Sequence, residues 1–177
     1  MKDPLQAIEK QAARRNFDAP PLHLWHPELS GDIPIRIAAD GRWYHDGDLI
    51  ERDSLVKLFA SILRREEDGE YYLVTPAEKW RIEVELHPLI VIDIEAEEGT
   101  GLLRATLNTG KSLCIDAQHP LALEPQRDEI PHLELEHGLS ARLCRAAWYR
   151  LAELVEERDG VPCITSGAYC FSLESQA

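Results

Sequence analysis

Asp53-Ser54-Leu55-Val56-Lys57-Leu58-Phe59-Ala60-Ser61-Ile62-Leu63-Arg64-Arg65, then Glu67-Asp68-Gly69, then Tyr71-Tyr72-Leu73-Val74-Thr75, is the stretch whose reading decides the fold. Leu55, Leu58, Phe59, Ile62 and Leu63 recur at i, i+3, i+4, i+7 and i+8, the single apolar stripe of an amphipathic helix. Asp53 or Ser54 suits its N-cap. The pattern predicts that the helix ends at Arg64-Arg65, with Asp68-Gly69 as the stop. Beyond it, Tyr71–Thr75 reads as a strand. Trp80, Ile82 and Val84 alternate with Lys79, Arg81, Glu83 and Glu85, which describes a second strand with one apolar and one charged face.

Working outward, residues 4–15 read as a short helix carrying Leu5, Ile8 and Ala12 on one side. Pro20–Pro27 is punctuated by prolines and reads as an extended arm, with Leu22 and Leu24 along a core edge. Ile33, Ile35 and Ile37 alternate as in a strand, and Asp40-Gly41 and Asp46-Gly47 mark turns on either side of a short strand at Arg42–His45. Leu89–Ile94 is continuously apolar and reads as a central strand. Leu102–Leu107 and Lys111–Ile115 read as a hairpin around Asn108-Thr109-Gly110. A long helix is predicted over 138–157, with Leu139, Leu143, Ala146, Ala147, Leu151, Leu154 and Val155 as its apolar face. Asp159-Gly160 would stop it, and strands follow at Val161–Thr165 and Tyr169–Leu173.

The two halves share this order of short strands, amphipathic helix, Asp-Gly, strand, turn and strand. Leu73, Val74 and Thr75 precede Cys163, Ile164 and Thr165 by 90 positions. With one residue deleted in the turn, Trp80, Ile82, Val84 and Glu85 fall opposite Tyr169, Phe171, Leu173 and Glu174. Agreement of periodicity and punctuation over the whole unit points to duplication. The expected fold class is α+β, in two similar small subdomains, each with short antiparallel strands, one amphipathic helix and a following hairpin. The expected boundaries are 1–30 for an N-terminal helix and extended arm, 31–86 for the first subdomain and 87–177 for the second.

Charge narrows the function. The 177 residues hold 19 Lys+Arg against 32 Asp+Glu, for a formal net charge of −13. Non-specific binding to phosphate backbones or anionic membranes is therefore disfavoured. At 44% hydrophobic the chain has material for a packed core, which excludes wholesale disorder. No run approaches the ~20 apolar residues of a membrane span, and the first residues show no secretory signal, so a cytoplasmic location is expected. Cys114, Cys144, Cys163 and Cys170 lack C-x-x-C spacing and read as ordinary reduced thiols. No zinc-binding spacing, Walker A, dinucleotide fingerprint or G-x-S-x-G occurs, so neither metal, cofactor nor catalytic residue is indicated.

The densest polar constellation is Thr75-Pro76-Ala77-Glu78-Lys79-Trp80-Arg81-Ile82. Lys79 and Arg81 share one strand face about 7 Å apart, a spacing that suits a carboxylate or phosphate. The weightier alternative on sequence is a solvated face whose cations pair with Glu83, Glu85 or a cross-strand acid. Arg64-Arg65 is first explained by the negative end of the predicted helix dipole. Its functional reading is a second pair of anion-binding fingers.

The runs Pro21-Leu22-His23-Leu24-Trp25, Gly31-Asp32-Ile33-Pro34-Ile35-Arg36-Ile37, Gly41-Arg42-Trp43-Tyr44-His45 and Leu55-Val56-Lys57-Leu58-Phe59-Ala60 occur in that order. Leu63-Arg64-Arg65-Glu66, Leu73-Val74-Thr75-Pro76-Ala77-Glu78-Lys79-Trp80-Arg81-Ile82 and His119-Pro120-Leu121 follow. Together they resemble the proteobacterial domain-of-unknown-function family numbered 1285, from about Pro20 to Leu173. The sequence departs from the family pattern at Asn108-Thr109-Gly110 and at Cys170 and Ser172. The resemblance implies an α+β fold with duplicated motifs, a second half superficially like a pleckstrin-homology domain, and a ligand site at the domain interface. It also implies a role in nucleotide binding or signal transduction, and the positions carried over are Arg64, Arg65, Thr75, Glu78, Lys79 and Arg81. The expectation is thus a non-enzymatic binding module for a small anionic ligand, nucleotide-like or carboxylate. The alternatives are a protein–protein adaptor in signalling, with Trp25, Trp43 and Trp148 as candidate anchors although core positions are the weightier reading of all three, and a less favoured hydrolase or transferase without a recognisable motif.

Overall fold

The computed structural model of the chain describes residues 4–13, 19–124 and 130–173. It is an α+β structure that divides into two compact units at Pro88, with His137–Leu139 belonging to the first.

The first unit begins with helix α1 (Pro4–Ala13) and a 3-10 turn at Leu22–Leu24. There follow β1 (Leu29–Ile37), β2 (Trp43–His45), β3 (Asp48–Leu49), helix α2 (Asp53–Ser61), β4 (Leu63–Arg65), β5 (Tyr71–Val74) and β6 (Lys79–Val84). They form one six-stranded sheet in the order β3-β2-β1-β6-β5-β4. All its pairs are antiparallel except β1 with β6, which run parallel. Two three-stranded meanders are thus joined along a parallel seam, and α2 lies in the link between them, from β3 to β4.

Alternation in β1 buries Ile33, Ile35 and Ile37 on one face, as period two demands. Helix α2 buries Leu55 and Phe59, and the Phe59 ring lies 6.2 Å from that of Trp43 on β2. Leu63 and Leu73, opposite each other on β4 and β5, complete this core.

The second unit holds β7 (Leu89–Ala96), β8 (Leu103–Leu107), β9 (Ser112–Cys114), β10 (Leu121–Glu124), β11 (Ile130–Glu134), β12 (Ser140–Leu143), α3 (Arg145–Glu153), β13 (Glu156–Arg158), β14 (Val161–Ser166) and β15 (Tyr169–Ser172). Its six-stranded sheet runs β10-β11-β12-β7-β8-β9. Read from the other end, this is the order of the first sheet with six added to each number, and the seam pair β12–β7 is again parallel. Val91, Ala105, Leu133, Ala141 and Leu151 are fully buried there.

The sequence alignment of the halves survives as an order of elements: α2-β4-β5-β6 corresponds to α3-β13-β14-β15. The pairing differs. In the second unit β12 has already taken the seam position beside β7, so the meander after α3 forms a three-stranded sheet of its own, β13-β14-β15. Ser166 ties it to β8, accepting a 2.8 Å hydrogen bond from the Leu103 amide.

Several boundaries are corrected by the structure. Helix α2 stops at Ser61, and Arg64 and Arg65 lie on β4 rather than at a helix end. Leu63 stands four residues after Phe59 and so prolongs the helical stripe in the sequence. Asp68-Gly69 and Asp159-Gly160 are hairpin turns, β4 to β5 and β13 to β14, one strand later than the expected helix stops. In the second of these, both Asp159 (φ 52°) and Gly160 (φ 81°) are left-handed, the conformation that a two-residue hairpin turn needs. Helix α3 is confined to Arg145–Glu153. Leu139, Ala141 and Leu143 precede it and are buried at every second residue through β12. A spacing of four is a multiple of two as well as one helical turn, and it hid this strand. The helix starts at Cys144, whose Sγ accepts from the Ala147 amide at 3.5 Å. Arg52, rather than Asp53 or Ser54, is the N-cap of α2, and Asp53 pairs with Lys57 one turn on at 2.6 Å.

Leu22 and Leu24 do not alternate along an extended edge. Amide bonds from Leu22 to the Pro20 carbonyl and from Leu24 to that of Pro21 curl the arm into a 3-10 turn, burying Leu22 and leaving Leu24 exposed. Of the first predicted helix, residues 14–15 lie outside the described residues, as does Glu174 of the aligned repeat.

Phe59→Ala removes the ring that α2 sets against Trp43. It should cost about 3–5 kcal/mol of stability, read as a lower urea midpoint at unchanged slope.

Candidate functional site

Strand register builds one charged row across the first sheet. Arg64 on β4 faces Tyr72 on β5, Tyr72 faces Arg81 on β6, and Arg81 faces Asp32 on β1. Residues opposite one another point to the same side of a sheet. Lys79, two residues before Arg81, therefore shares this side, whereas Arg65, next to Arg64, points to the other. Arg64 and Arg65 accordingly lie on opposite sides of the sheet and do not form a pair on one face.

At one end of the row the charges are locked. The Arg64 guanidinium donates from Nη1 to the carbonyls of Leu22 and Trp25, both at 2.9 Å, and from Nη2 to Glu66 Oε1 at 2.6 Å. It pins the arm to the sheet. Lys79 Nζ reaches the other Glu66 oxygen at 2.9 Å and lies 4.7 Å from the centre of the Tyr72 ring. The Arg64, Lys79 and Glu66 side chains are only 13%, 16% and 25% exposed. Burial alone would raise the Glu66 carboxyl, but hydrogen bonds from Lys79 and Arg64 outweigh it and hold the group below the usual glutamate range. Beneath them Tyr72 donates its hydroxyl to Asp68 Oδ2 at 2.6 Å. That bond, then burial and the Asp68 charge, pushes Tyr72 up to about 12. The same bond, with one from the Glu70 amide, lowers Asp68.

At the other end the charges are open. Arg81 grips Asp32 with two parallel bonds, Nε to Oδ1 at 2.7 Å and Nη2 to Oδ2 at 3.0 Å. The guanidinium side chain is 42% exposed and the carboxylate 65%. The Arg81 hydrogen bond lowers Asp32, and the same bond raises Arg81. This pair stands at a groove of about 570 Å³ whose lining includes Arg36, Asp46, Glu70 and Glu83. Arg36 is itself paired with Glu85 and lies over the Tyr44 ring.

The remaining candidates have structural partners. Thr75 is fully buried, and its Oγ1 accepts from the amides of Glu78 (3.0 Å) and Ala77 (3.4 Å), closing the β5–β6 turn. Glu78 accepts from Gln11 Nε2 at 3.4 Å. Arg65 donates from Nε to the Gly69 carbonyl at 3.1 Å and lies over the Tyr71 ring. The structure thus brings Arg64, Lys79 and Arg81 onto one face and separates Arg65, Thr75 and Glu78 from it. Glu66, Asp68, Tyr72 and Asp32 were missed. Asp32 stands 49 residues from Arg81, and only the parallel seam joins them. Glu66, three residues after Leu63, carried a weak signal as the acid among basic neighbours. Of the three candidate tryptophans, Trp43 is a core residue packed with Phe59, while Trp25 and Trp148 are half-buried. Among the described residues no three His, Cys, Asp or Glu side chains gather as a metal site requires, and no helix is long and apolar enough to cross a membrane.

Glu66 stays ionised in the folded chain below the pH at which it would protonate unfolded. Its stabilisation is present above the ordinary glutamate range and is lost as pH falls through the lowered value. Glu66→Ala should cost about 2 kcal/mol near neutral pH, because it leaves two half-buried cations without a counter-charge. Its thermal midpoint should also fall less than the parent's between pH 5 and pH 3, a range set by the ordinary glutamate pKa of about 4.3.

Two family models match the chain. The domain of unknown function (DUF1285), N-terminal domain, matches residues 20–86, and the C-terminal domain of the same family matches residues 88–173. Two solved structures are similar. A DUF1285 family protein from Silicibacter pomeroyi is 37% identical with a TM-score of 0.85, over 99% of this chain and 97% of that one. Another from Shewanella baltica is 34% identical with a TM-score of 0.59, over 68% of this chain and 91% of its own. No curated protein matches. With both family domains matched in order and a relative similar over nearly its full length, the chain belongs to the DUF1285 family.

Proposed function

We propose that the chain is a non-catalytic binding module whose first unit holds a small carboxylate-bearing ligand on Arg81. One observation carries this reading: a guanidinium at an open groove holds, in bidentate geometry, a carboxylate that is itself two-thirds exposed. A guanidinium fork matches a carboxylate in two parallel bonds. An exposed ion pair in water contributes little to stability, so a ligand carboxylate can take the place of Asp32 at small cost. Lys79 and Arg64 supply no second anchor, since both are largely buried and already bonded to Glu66.

The groove's remaining charge selects the ligand further. Asp46, Glu70 and Glu83 line it against Arg36 and Arg81. A polyphosphate would meet three carboxylates within a short, weakly screened distance. A ligand bearing one carboxylate and one positive group, such as an amino acid or a short peptide end, meets complementary charge at both ends. This favours a zwitterion over the nucleotide-like ligand that the sequence allows.

Titration calorimetry of the full chain against amino acids, dipeptides, dicarboxylates and nucleotides tests the reading. A zwitterion should bind, and Arg81→Gln should abolish that binding while the fold is retained by circular dichroism. Asp32→Asn frees the guanidinium from its competitor and should tighten binding roughly two- to fivefold. Unchanged affinity in Arg81→Gln, or weakening in Asp32→Asn, would overturn the reading.

A further inference from the structure

Cys163 and Cys170 stand on adjacent strands in the three-stranded sheet of the second unit. β14 pairs with β15 in the register Cys163↔Ser172 and Thr165↔Cys170. Cys163 and Cys170 are therefore diagonal neighbours on one side of the ribbon. On a flat ladder such a pair sits at the margin of disulfide reach, roughly 7 Å between Cα atoms. The right-handed twist of a short ribbon draws one diagonal closer, and the side chains are near enough that, after burial, Cys170 raises the Cys163 thiol.

Their exposures differ. Cys163 is 2% exposed on the central strand, flanked by Glu156 of β13 on its other side, whereas Cys170 is exposed on the outer strand. Cys144, by contrast, is committed as the N-cap of α3. One thiol thus meets solutes first and the other waits behind it, the arrangement of an oxidised cysteine beside a resolving one.

We propose that Cys163 and Cys170 are a reversible oxidation site, closed to a disulfide by a hydroperoxide. The Cys170 sulfur attacks the peroxide, the O–O bond breaks, and one oxygen stays on sulfur as a sulfenic acid while water or an alcohol leaves. The Cys163 sulfur then attacks the sulfenic sulfur, forming the S–S bond and expelling the hydroxyl, which leaves as water with the thiol proton. Two thiols and hydrogen peroxide give one disulfide and two waters. A dithiol reverses the reaction by exchange. The site is independent of the ligand reading, since all its residues lie in the second unit.

The test oxidises the reduced full chain with one equivalent of hydrogen peroxide and quenches it with an alkylating reagent. No Lys or Arg stands between Cys163 and Cys170, so trypsin leaves both in one peptide. That peptide should become two hydrogens lighter, lose both alkylation sites, and regain them after dithiothreitol. Cys163→Ala should instead accumulate a Cys170 sulfenic acid that dimedone traps. Cys170→Ser, at an exposed position, should leave Cys163 reduced. Cys170 carrying dimedone while Cys163 is still alkylated in the parent chain would overturn the proposal, as would disulfides found only between chains. So would oxidation of Cys163 in Cys170→Ser.

Discussion

β1 and β6 lie side by side in the same direction, joined across about fifty residues of chain, and this seam decides where everything else in the first unit sits. Each meander is three strands long and alone would carry an unpaired edge on its longest strand. Pairing β1 with β6 removes both edges at once and makes a single apolar face wide enough for α2 to cover. The same register sets Asp32 against Arg81 and Arg36 against Glu83. Electrostatics and hydrogen bonding thus agree on one alignment. The second unit uses the same device with β7 and β12, although its helix follows the sixth strand instead of preceding the fourth.

Much of this was legible from local pattern. Alternation located β1 and β6, a continuous apolar run located β7, and short apolar runs located β5 and β14. The recurrence of helix, Asp-Gly and hairpin pointed to two similar halves, although the strands it aligned do not hold equivalent places in the two six-stranded sheets. What escaped were β12, whose alternation also fits a helix, and strands without a period of their own. β4 has three residues and opens on a leucine that also fits the helix before it, and β13 is Glu156-Glu157-Arg158, with no apolar residue at all. For the candidate site, alternation placed Lys79 and Arg81 on one face. It could not supply their partners, because Glu66 arrives through a hairpin and Asp32 through the seam. Local periodicity describes an element's faces, whereas the company each face keeps is set by pairings distant in sequence.

Lys79 and Arg81 show what that company does. They are two residues apart on one strand, carry the same charge, and both hold a carboxylate. Lys79 is enclosed with Glu66, Arg64 and the Tyr72 ring, where removing one charge strands the others in a medium that solvates them poorly. Arg81 stands in water with Asp32, where exchange of one carboxylate for another changes little. The first pair is scaffolding for the arm, and the second is available to a visitor.

The outermost strands of the first sheet are short: β3 has two residues and β4 three. In the small third sheet the outer strand β13 is wholly charged and exposed. A bare sheet margin is a template on which a foreign strand can lengthen the ladder, and brevity and charged side chains deny it that purchase. These margins resist intermolecular β-addition and amyloid-like stacking without the aid of a cap or a partner. Any macromolecule that engages the protein there must do so through side chains rather than by completing its backbone ladder.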